Sequence, residues 1–168
     1  CQIGRRMIEA FHELVSRAAT KWPRQTALIL KDERVSYAEL WSNVQQVAAG
    51  LSHLGIAKSD RVGVWLEKRI ETIVAIFGIS LAGAVFVPVN PVLRAAQVRH
   101  ILKDCSIRVL ITSRDRLRSL EGVIEECGDL VAIVLVDVED DHEQQQRPPI
   151  RSWRALLATV APDSTRFA

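Results

Sequence analysis

The chain has 168 residues, 48% apolar and 25% charged, figures that suit one well-buried globular domain. A net charge of +2, dispersed basic residues and only 5% aromatics supply neither a basic stripe nor stacking platforms, so no nucleic-acid partner is expected. Three cysteines, Cys1, Cys105 and Cys127, include no C-x-x-C pair, which suggests reduced thiols in a cytoplasmic protein rather than a disulfide framework.

At the N-terminus, Arg5, Arg6, Glu9 and Glu13 stand where a secretory signal would place its apolar core, and a chain opening on Cys1 reads as a trimmed piece of a longer polypeptide. Ile8, Phe11, Leu14, Val15, Ala18 and Trp22 then fall at helical spacing over residues 7–22, and Pro23 stops that helix. Thr26–Leu30 reads as a strand, Lys31 to Arg34 as a polar turn and Val35 as the start of a return strand, which together make a hairpin. Ser36 and Glu39 form a capping box, in which each side chain reaches the other residue's backbone N–H. The helix they open carries Leu40, Trp41, Val44, Val47, Ala48, Leu51 and Leu54 on one face, and Gly55 sits where a left-handed C-terminal residue belongs.

Residues 73–91 carry no charge and organise the chain. A membrane-spanning helix needs about 20 uninterrupted apolar residues, whereas Gly78, Ser80, Gly83 and Pro88 break this run. We read it as a buried helix, a tight turn at Ala82-Gly83 and a parallel strand covered on both faces, and expect no membrane span. Around it strands alternate with helices: strand 61–66, helix Ile70–Leu81, strand 85–89, helix 95–103, strand Ile107–Thr112, helix 114–127 and strand 130–136. The fold class expected is therefore α/β, a mostly parallel, doubly wound sheet flanked by helices, with the small hairpin near the N-terminus. Residues 137–149, acidic and Gln-rich before two prolines, read as a solvated mobile loop that lacks the rigid frame a divalent-metal site requires. Trp153, Leu156, Leu157 and Val160 make a last amphipathic helix.

Sheets of this kind bind ligands beyond the C-terminal ends of their strands. Here that rim offers Asn90, Arg94, Ser113, Arg114 and Arg116, with Ser113 placed to cap the helix at Arg114 and the two arginines placed to favour a phosphate. There is no G-x-G-x-x-G and no G-x-x-x-x-G-K-[ST]. Gly78 and Gly83 are better explained by close packing of helix on strand than by a phosphate loop. His12, His53, His100 and His142 lie at no metal-ligand spacing, and Ser36 has no triad partners, so no catalytic residue and no metal site is expected in this chain.

Three stretches nonetheless resemble the core motifs of adenylate-forming enzymes, the AMP-binding superfamily. Val35-Ser36-Tyr37-Ala38-Glu39-Leu40 resembles the first motif, and Leu81-Ala82-Gly83-Ala84-Val85-Phe86-Val87-Pro88-Val89 the second. Between them, Gly55-Ile56-Ala57-Lys58-Ser59-Asp60-Arg61-Val62 is similar to the family's intervening turn, with Ser59 where glycine is usual. The likeness covers residues 11–167. Val89-Asn90-Pro91, the 97–104 helix and Val109-Leu110-Ile111-Thr112-Ser113 resemble the acyl-CoA ligase form, and residues 66–71 with 86–91 resemble a bacterial subgroup associated with exosortase loci.

The resemblance implies a parent enzyme in which a fatty or aryl carboxylate attacks ATP to give an acyl-adenylate and pyrophosphate, after which coenzyme A displaces AMP. It implies ATP, Mg²⁺ and coenzyme A as the parent's cofactors, bound by residues downstream of these motifs. It therefore implies a partial N-terminal domain over residues 1–168 that ends before the phosphate loop, is inactive alone and needs no cofactor of its own. The rival readings are a peptide-synthetase adenylation domain and a free-standing α/β module that binds a partner or small ligand. A piece cut from a larger sheet is also expected to self-associate as a dimer, through the flank of the 130–136 strand and the face of the 153–160 helix.

Overall fold

Residues 10–138 and 147–158 are described by the computed structural model. In chain order they form α1 (Glu13–Lys21), β1 (Thr26–Leu30), β2 (Glu33–Ser36), α2 (Tyr37–His53), β3 (Arg61–Trp65), α3 (Ile70–Leu81), β4 (Val85–Pro88), α4 (Ala95–Asp104), β5 (Ile107–Thr112), α5 (Arg114–Arg118), β6 (Ala132–Leu135), β7 (Ile150–Ser152) and α6 (Trp153–Ala158). β1 and β2 pair antiparallel as the hairpin. The remaining strands form a parallel sheet in the order β4-β3-β5-β6-β7.

Alternate residues of the strands feed two apolar clusters, as a sheet covered on both sides demands. Val62, Val64, Val109, Ile111, Ala132 and Val134 join residues of α2, α3 and α6 on one face, and Trp65 and Leu110 join Val98, Leu102, Leu120 and Cys127 on the other. The capping box forms as expected: Ser36 Oγ accepts from the Glu39 N–H at 3.3 Å, and the Glu39 carboxylate accepts from the Ser36 N–H at 2.8 Å. The Ser36 N–H and the Ser36 hydroxyl, both donating to it, hold the Glu39 carboxyl below its usual range.

The central element is α2 rather than the 73–91 stretch. Val47, Ala48, Ala49, Gly50 and Leu51 are buried consecutively. At 3.6 residues per turn, five such residues cover the whole circumference. Glycines let its neighbours come close: a Cβ on Gly50 would lie 2.5 Å from the Leu156 carbonyl oxygen of α6, and one on Gly78 of α3 would lie 2.5 Å from Val47 Cγ1. The tight contact at Gly78 is thus helix on helix, not helix on strand. Gly83 is open, with nothing nearer than 3.8 Å to its missing Cβ, and its requirement is the turn itself, φ +75°.

Several expected elements differ from those observed. The 85–89 strand, expected to be covered on both faces, is β4 at the sheet edge, with Val85 48% exposed. The 114–127 helix stops at Arg118, and a 3₁₀ turn over Ile124–Glu126 brings Cys127 inward. Gly122 in the left-handed region ends any continuous helix there. The 130–136 strand is shorter, buried throughout as β6, and flanked on its far side by β7, which no apolar run announces. The 153–160 helix is α6, with Leu156 buried against α2. Of the two surfaces expected to drive self-association, the flank of β6 is paired with β7, and on α6 Leu156 is buried while Trp153 and Leu157 are half-buried. The 7–22 helix begins at Glu13, and Phe11 instead stacks on Phe77 at 4.6 Å between ring centroids. Residues 7–9, 139–146, 159 and 160 lie outside the described residues, and with them His142, Val160 and most of the acidic loop.

Candidate functional site

Parallel strands expose their carbonyl ends on one side, and four of them deliver polar residues there: Glu67 after β3, Asn90 and Pro91 after β4, Ser113 after β5 and Asp137 after β6. Two bonds, one buried and one partly buried, fix their relative height. Thr112 Oγ1 donates to the Trp65 carbonyl at 3.0 Å, and Trp65 Nε1 donates to the Asn90 carbonyl at 3.2 Å. Arg116 crosses above them. Its Nε and Nη2 donate to Glu67 Oε2 at 3.1 and 2.8 Å, and its Nη1 donates to the Pro91 carbonyl at 2.7 Å. The guanidinium carbon lies 5.2 Å from the Trp65 ring centroid, a cation–π distance. One arginine thus joins the ends of β3, β4 and β5.

Beside this clasp lies a shallow cleft of about 290 Å³, lined by Trp65, Glu67, Leu93, Ser113, Asp115, Arg116 and Ser119. The hydrogen bonds from Arg116 hold the Glu67 carboxyl below its ordinary range. A neighbouring pair, Arg69 and Glu71, meets at 3.0 Å, and that contact raises the arginine further. A second, smaller depression of about 170 Å³ between the hairpin, α2, α3 and α6 is lined by Glu33, Asn43, Ile70, Glu71, Val74 and Trp153.

Of the five rim residues read from the sequence, Ser113 and Arg116 line the cleft, and Asn90 supports its floor through Trp65. Arg94 stands exposed at the head of α4, with its N–H on Gln97 Oε1. Arg114 is also exposed, and its N–H donates to both oxygens of the Asp137 carboxylate at 2.9 and 3.2 Å. That bond corrects the expected Ser113 cap: Ser113 makes no capping bond, and Asp137 fills the place proposed for a phosphate. Trp65 and Glu67 were not read as site residues. The signal available was position, since both lie at the C-terminal end of the interior strand β3.

The other titratable groups serve packing. His12 Nδ1 and the His12 N–H both lie on Ser80 Oγ, at 3.2 and 3.3 Å, and burial lowers the imidazole pKa despite the nearby Glu13. Burial likewise raises the Cys127 thiol, and both Cys105 and Cys127 are free. Among the described residues no group of three metal-ligating side chains could hold a metal ion, and no helix is long and apolar enough to cross a membrane.

Comparisons with known proteins agree with this architecture. The chain is 32% identical over 141 residues to tyrocidine synthase 2 of Brevibacillus parabrevis, covering 84% of this chain and 4% of that protein. It is 26% identical over 146 residues to a medium/long-chain-fatty-acid–CoA/3-oxocholest-4-en-26-oate–CoA ligase of Mycobacterium tuberculosis, covering 87% of this chain and 27% of that one. In three dimensions it resembles the anthranilate CoA ligase AuaEII, solved with anthranoyl-AMP, with a TM-score of 0.79 at 24% identity over 88% of this chain and 27% of that one. The chain spans less than a third of each. Residues 15–166 match the family described as AMP-binding enzyme, and with that match over nearly its whole length the chain belongs to the AMP-binding, adenylate-forming enzymes.

Proposed function

We propose that the chain forms the first sheet layer of an acid–thiol ligase that activates a fatty or aryl carboxylic acid with ATP and transfers the acyl group to coenzyme A in the cytoplasm. The observation that carries this reading is the family match over residues 15–166, with both core motifs inside it. The choice of coenzyme A as acceptor is supported by Val89-Asn90-Pro91 and the α4 sequence that follows, and by the likeness of the fold to AuaEII. The narrower likeness to the exosortase-associated subgroup rests on residues 66–71 and 86–91 alone. A second reading, a peptide-synthetase adenylation domain loading a carrier-protein thiol, is favoured by the 32% identity to tyrocidine synthase 2.

Among the described residues, none fits the phosphates of ATP or the metal that accompanies them. Cβ positions at Gly50 and Gly78 are filled by Leu156 and Val47, Gly55, Gly83 and Gly122 serve left-handed turns, and the amide at Arg114 is taken by Asp137. Among the described residues there are no preorganised donors for a transferring group, the interaction that usually contributes most to catalysis. The strand-end residues Asn90, Arg94, Ser113, Arg114 and Arg116 are assigned to a ligand-facing rim and to no chemical step.

Pyrophosphate exchange tests the reading. The 168-residue chain with ATP, Mg²⁺ and a panel of fatty and aromatic acids should show none. The chain extended by the segment that follows in its relatives should show acid-dependent exchange and then release AMP on addition of coenzyme A. Exchange by the chain alone, or none by the extended protein, would overturn it. AMP release only with a carrier protein would transfer the assignment to the peptide-synthetase reading.

A further inference from the structure

We propose that the segment from Phe11 to Lys21 is a pH-released strap, docked on α3 while His12 is neutral and freed from it as His12 takes up a proton. Three contacts hold the segment. The Phe11 ring stacks on Phe77 of α3, with 4.6 Å between centroids, and meets Phe86 of β4 at 5.8 Å. Val15, the one buried residue of α1, enters the apolar cluster beside α2. Ser80 of α3 meets His12 twice, at its backbone N–H and at Nδ1, at 3.3 and 3.2 Å. Phe11 and Leu14 remain exposed, so little of the segment's apolar surface is committed to the docked state. Beyond α1 the chain is fastened again, because the Ala38 and Tyr37 N–H groups donate to the Pro23 and Gln25 carbonyls, each at 3.0 Å. Trp22 is therefore the pivot about which the strap leaves α3 while the parallel sheet stays intact.

The Ser80 contact selects the protonation state. Ser80 Oγ accepts the His12 N–H, which leaves its own proton to donate to Nδ1, and Nδ1 accepts only while it is bare. A protonated imidazole brings a second donor to the same oxygen instead. It also brings a charge to a half-buried place with little to neutralise it. α3 carries no ionisable group after Glu71 in its first turn, and β4 carries none. α2 has Glu39, engaged in the Ser36 cap, and His53, exposed in the last turn. Lys58, beside Gly83 just past α3, is a cation. Glu13 is the charge that favours the proton, and its carboxylate already accepts from Arg17 and the Ala10 N–H. Burial outweighs Glu13 and lowers the imidazole pKa. Docked, His12 thus binds its proton less readily than it does free. Docking is strongest above the free value of about 6.5 and weakens as the pH falls through it. A free helix of nine residues is marginal in water, so release also unwinds α1.

The test is amide hydrogen exchange of the 168-residue chain at about pH 7.5 and about pH 5.5, each rate divided by the intrinsic rate at that pH to give an opening constant. The amides from Arg17 to Trp22 report the strap, and those of β5 report global opening. Acidification should raise the strap's opening constants by about threefold or more. The ceiling is about tenfold, reached when the free imidazole titrates near 6.5 and the docked one takes no proton. The β5 constants should not rise with them. His12→Asn keeps an acceptor near the Nδ1 position and does not titrate, so its strap should open equally at both pH values. Ser80→Ala should raise the strap's opening constants at both. His100→Gln, at an exposed position of α4, should respond as the wild type does. A strap whose opening is the same at both pH values in the wild type would overturn the proposal. So would an equal rise in His12→Asn, an equal rise in β5, or wild-type opening constants in Ser80→Ala.

Discussion

Replacing Gly78 with alanine places a methyl group 2.5 Å from Val47 Cγ1, 2.6 Å from Val47 Cβ and 3.2 Å from the Val44 carbonyl oxygen. Ordinary carbon contacts begin near 3.5 Å, so Val47 or the whole of α2 must retreat by about 1 Å. Val47 is fully buried and cannot swing into solvent. Overpacking of this kind costs about 1–3 kcal/mol, and a clash with both a side chain and a backbone oxygen belongs at about 3 kcal/mol, the upper end. Alanine is the better helix former by about 1 kcal/mol. The net expectation is a loss of about 2 kcal/mol, which in a chain of this length lowers Tm by about 4–8 °C. Urea denaturation followed by tryptophan fluorescence measures it. Gly128→Ala is the companion control, since nothing lies within 4 Å of its Cβ position. If Gly78→Ala were as stable as the wild type, helix propensity would outweigh the contact and the close approach of α2 and α3 would be wrong.

Other expectations follow from single observations. Gly83→Val should cost about 2 kcal/mol through backbone strain at φ +75° rather than through a clash, whereas Arg118→Ala, at an exposed ion pair, should shift stability by less than about 0.5 kcal/mol; equal denaturation midpoints would refute the assignment of the turn. Ser36→Ala removes the N-cap of α2 and should cost about 1 kcal/mol, read from the same midpoints. Glu67 has a folded-state pKa below its ordinary 4.5, so its pairing with Arg116 contributes stability above that pH and loses it as the pH falls through the folded value. Glu67→Gln should therefore lower stability at pH 7 by less than about 1 kcal/mol, given its exposure, and the difference from wild type should vanish once the pH has fallen below the folded-state value. A difference that persisted in acid would mean that the carboxylate's charge is not what matters.

The hairpin, the capping box, Ile70–Leu81 and Ile107–Thr112 were all legible because local signals specify them: a polar turn, a Ser and Glu three apart, an uninterrupted apolar run. The role of α2 was not. Its Leu40, Val44, Val47 and Leu51 stripe suggests one buried face, and only the small residues Ala48, Ala49 and Gly50 hint that other helices lie against the rest. β7 escaped for a related reason. Ile150–Ser152 is three residues long and becomes a strand by pairing with β6 across the loop, a long-range effect that no local pattern encodes. At the rim, Ser113 and Arg116 were found from their position after a strand, but the Asp137 contact joins residues 23 apart and was invisible. Cofactor chemistry was legible only through the motifs' likeness to a family, since the residues in those motifs build a cap and a turn.

The placement of Pro88 bears on what the β4 border of the sheet can offer another strand. The Val85 and Val89 N–H groups donate to β3 and its flank, at Asp60 and Val64, so by alternation Phe86 and Pro88 face away from the sheet. Proline has no N–H, and Phe86 is left as the one amide donor along that border of β4. A foreign strand laid there would find half a ladder, too little to template stacking or amyloid-like growth. Within this five-stranded sheet the opposite border is β7, which offers only three residues.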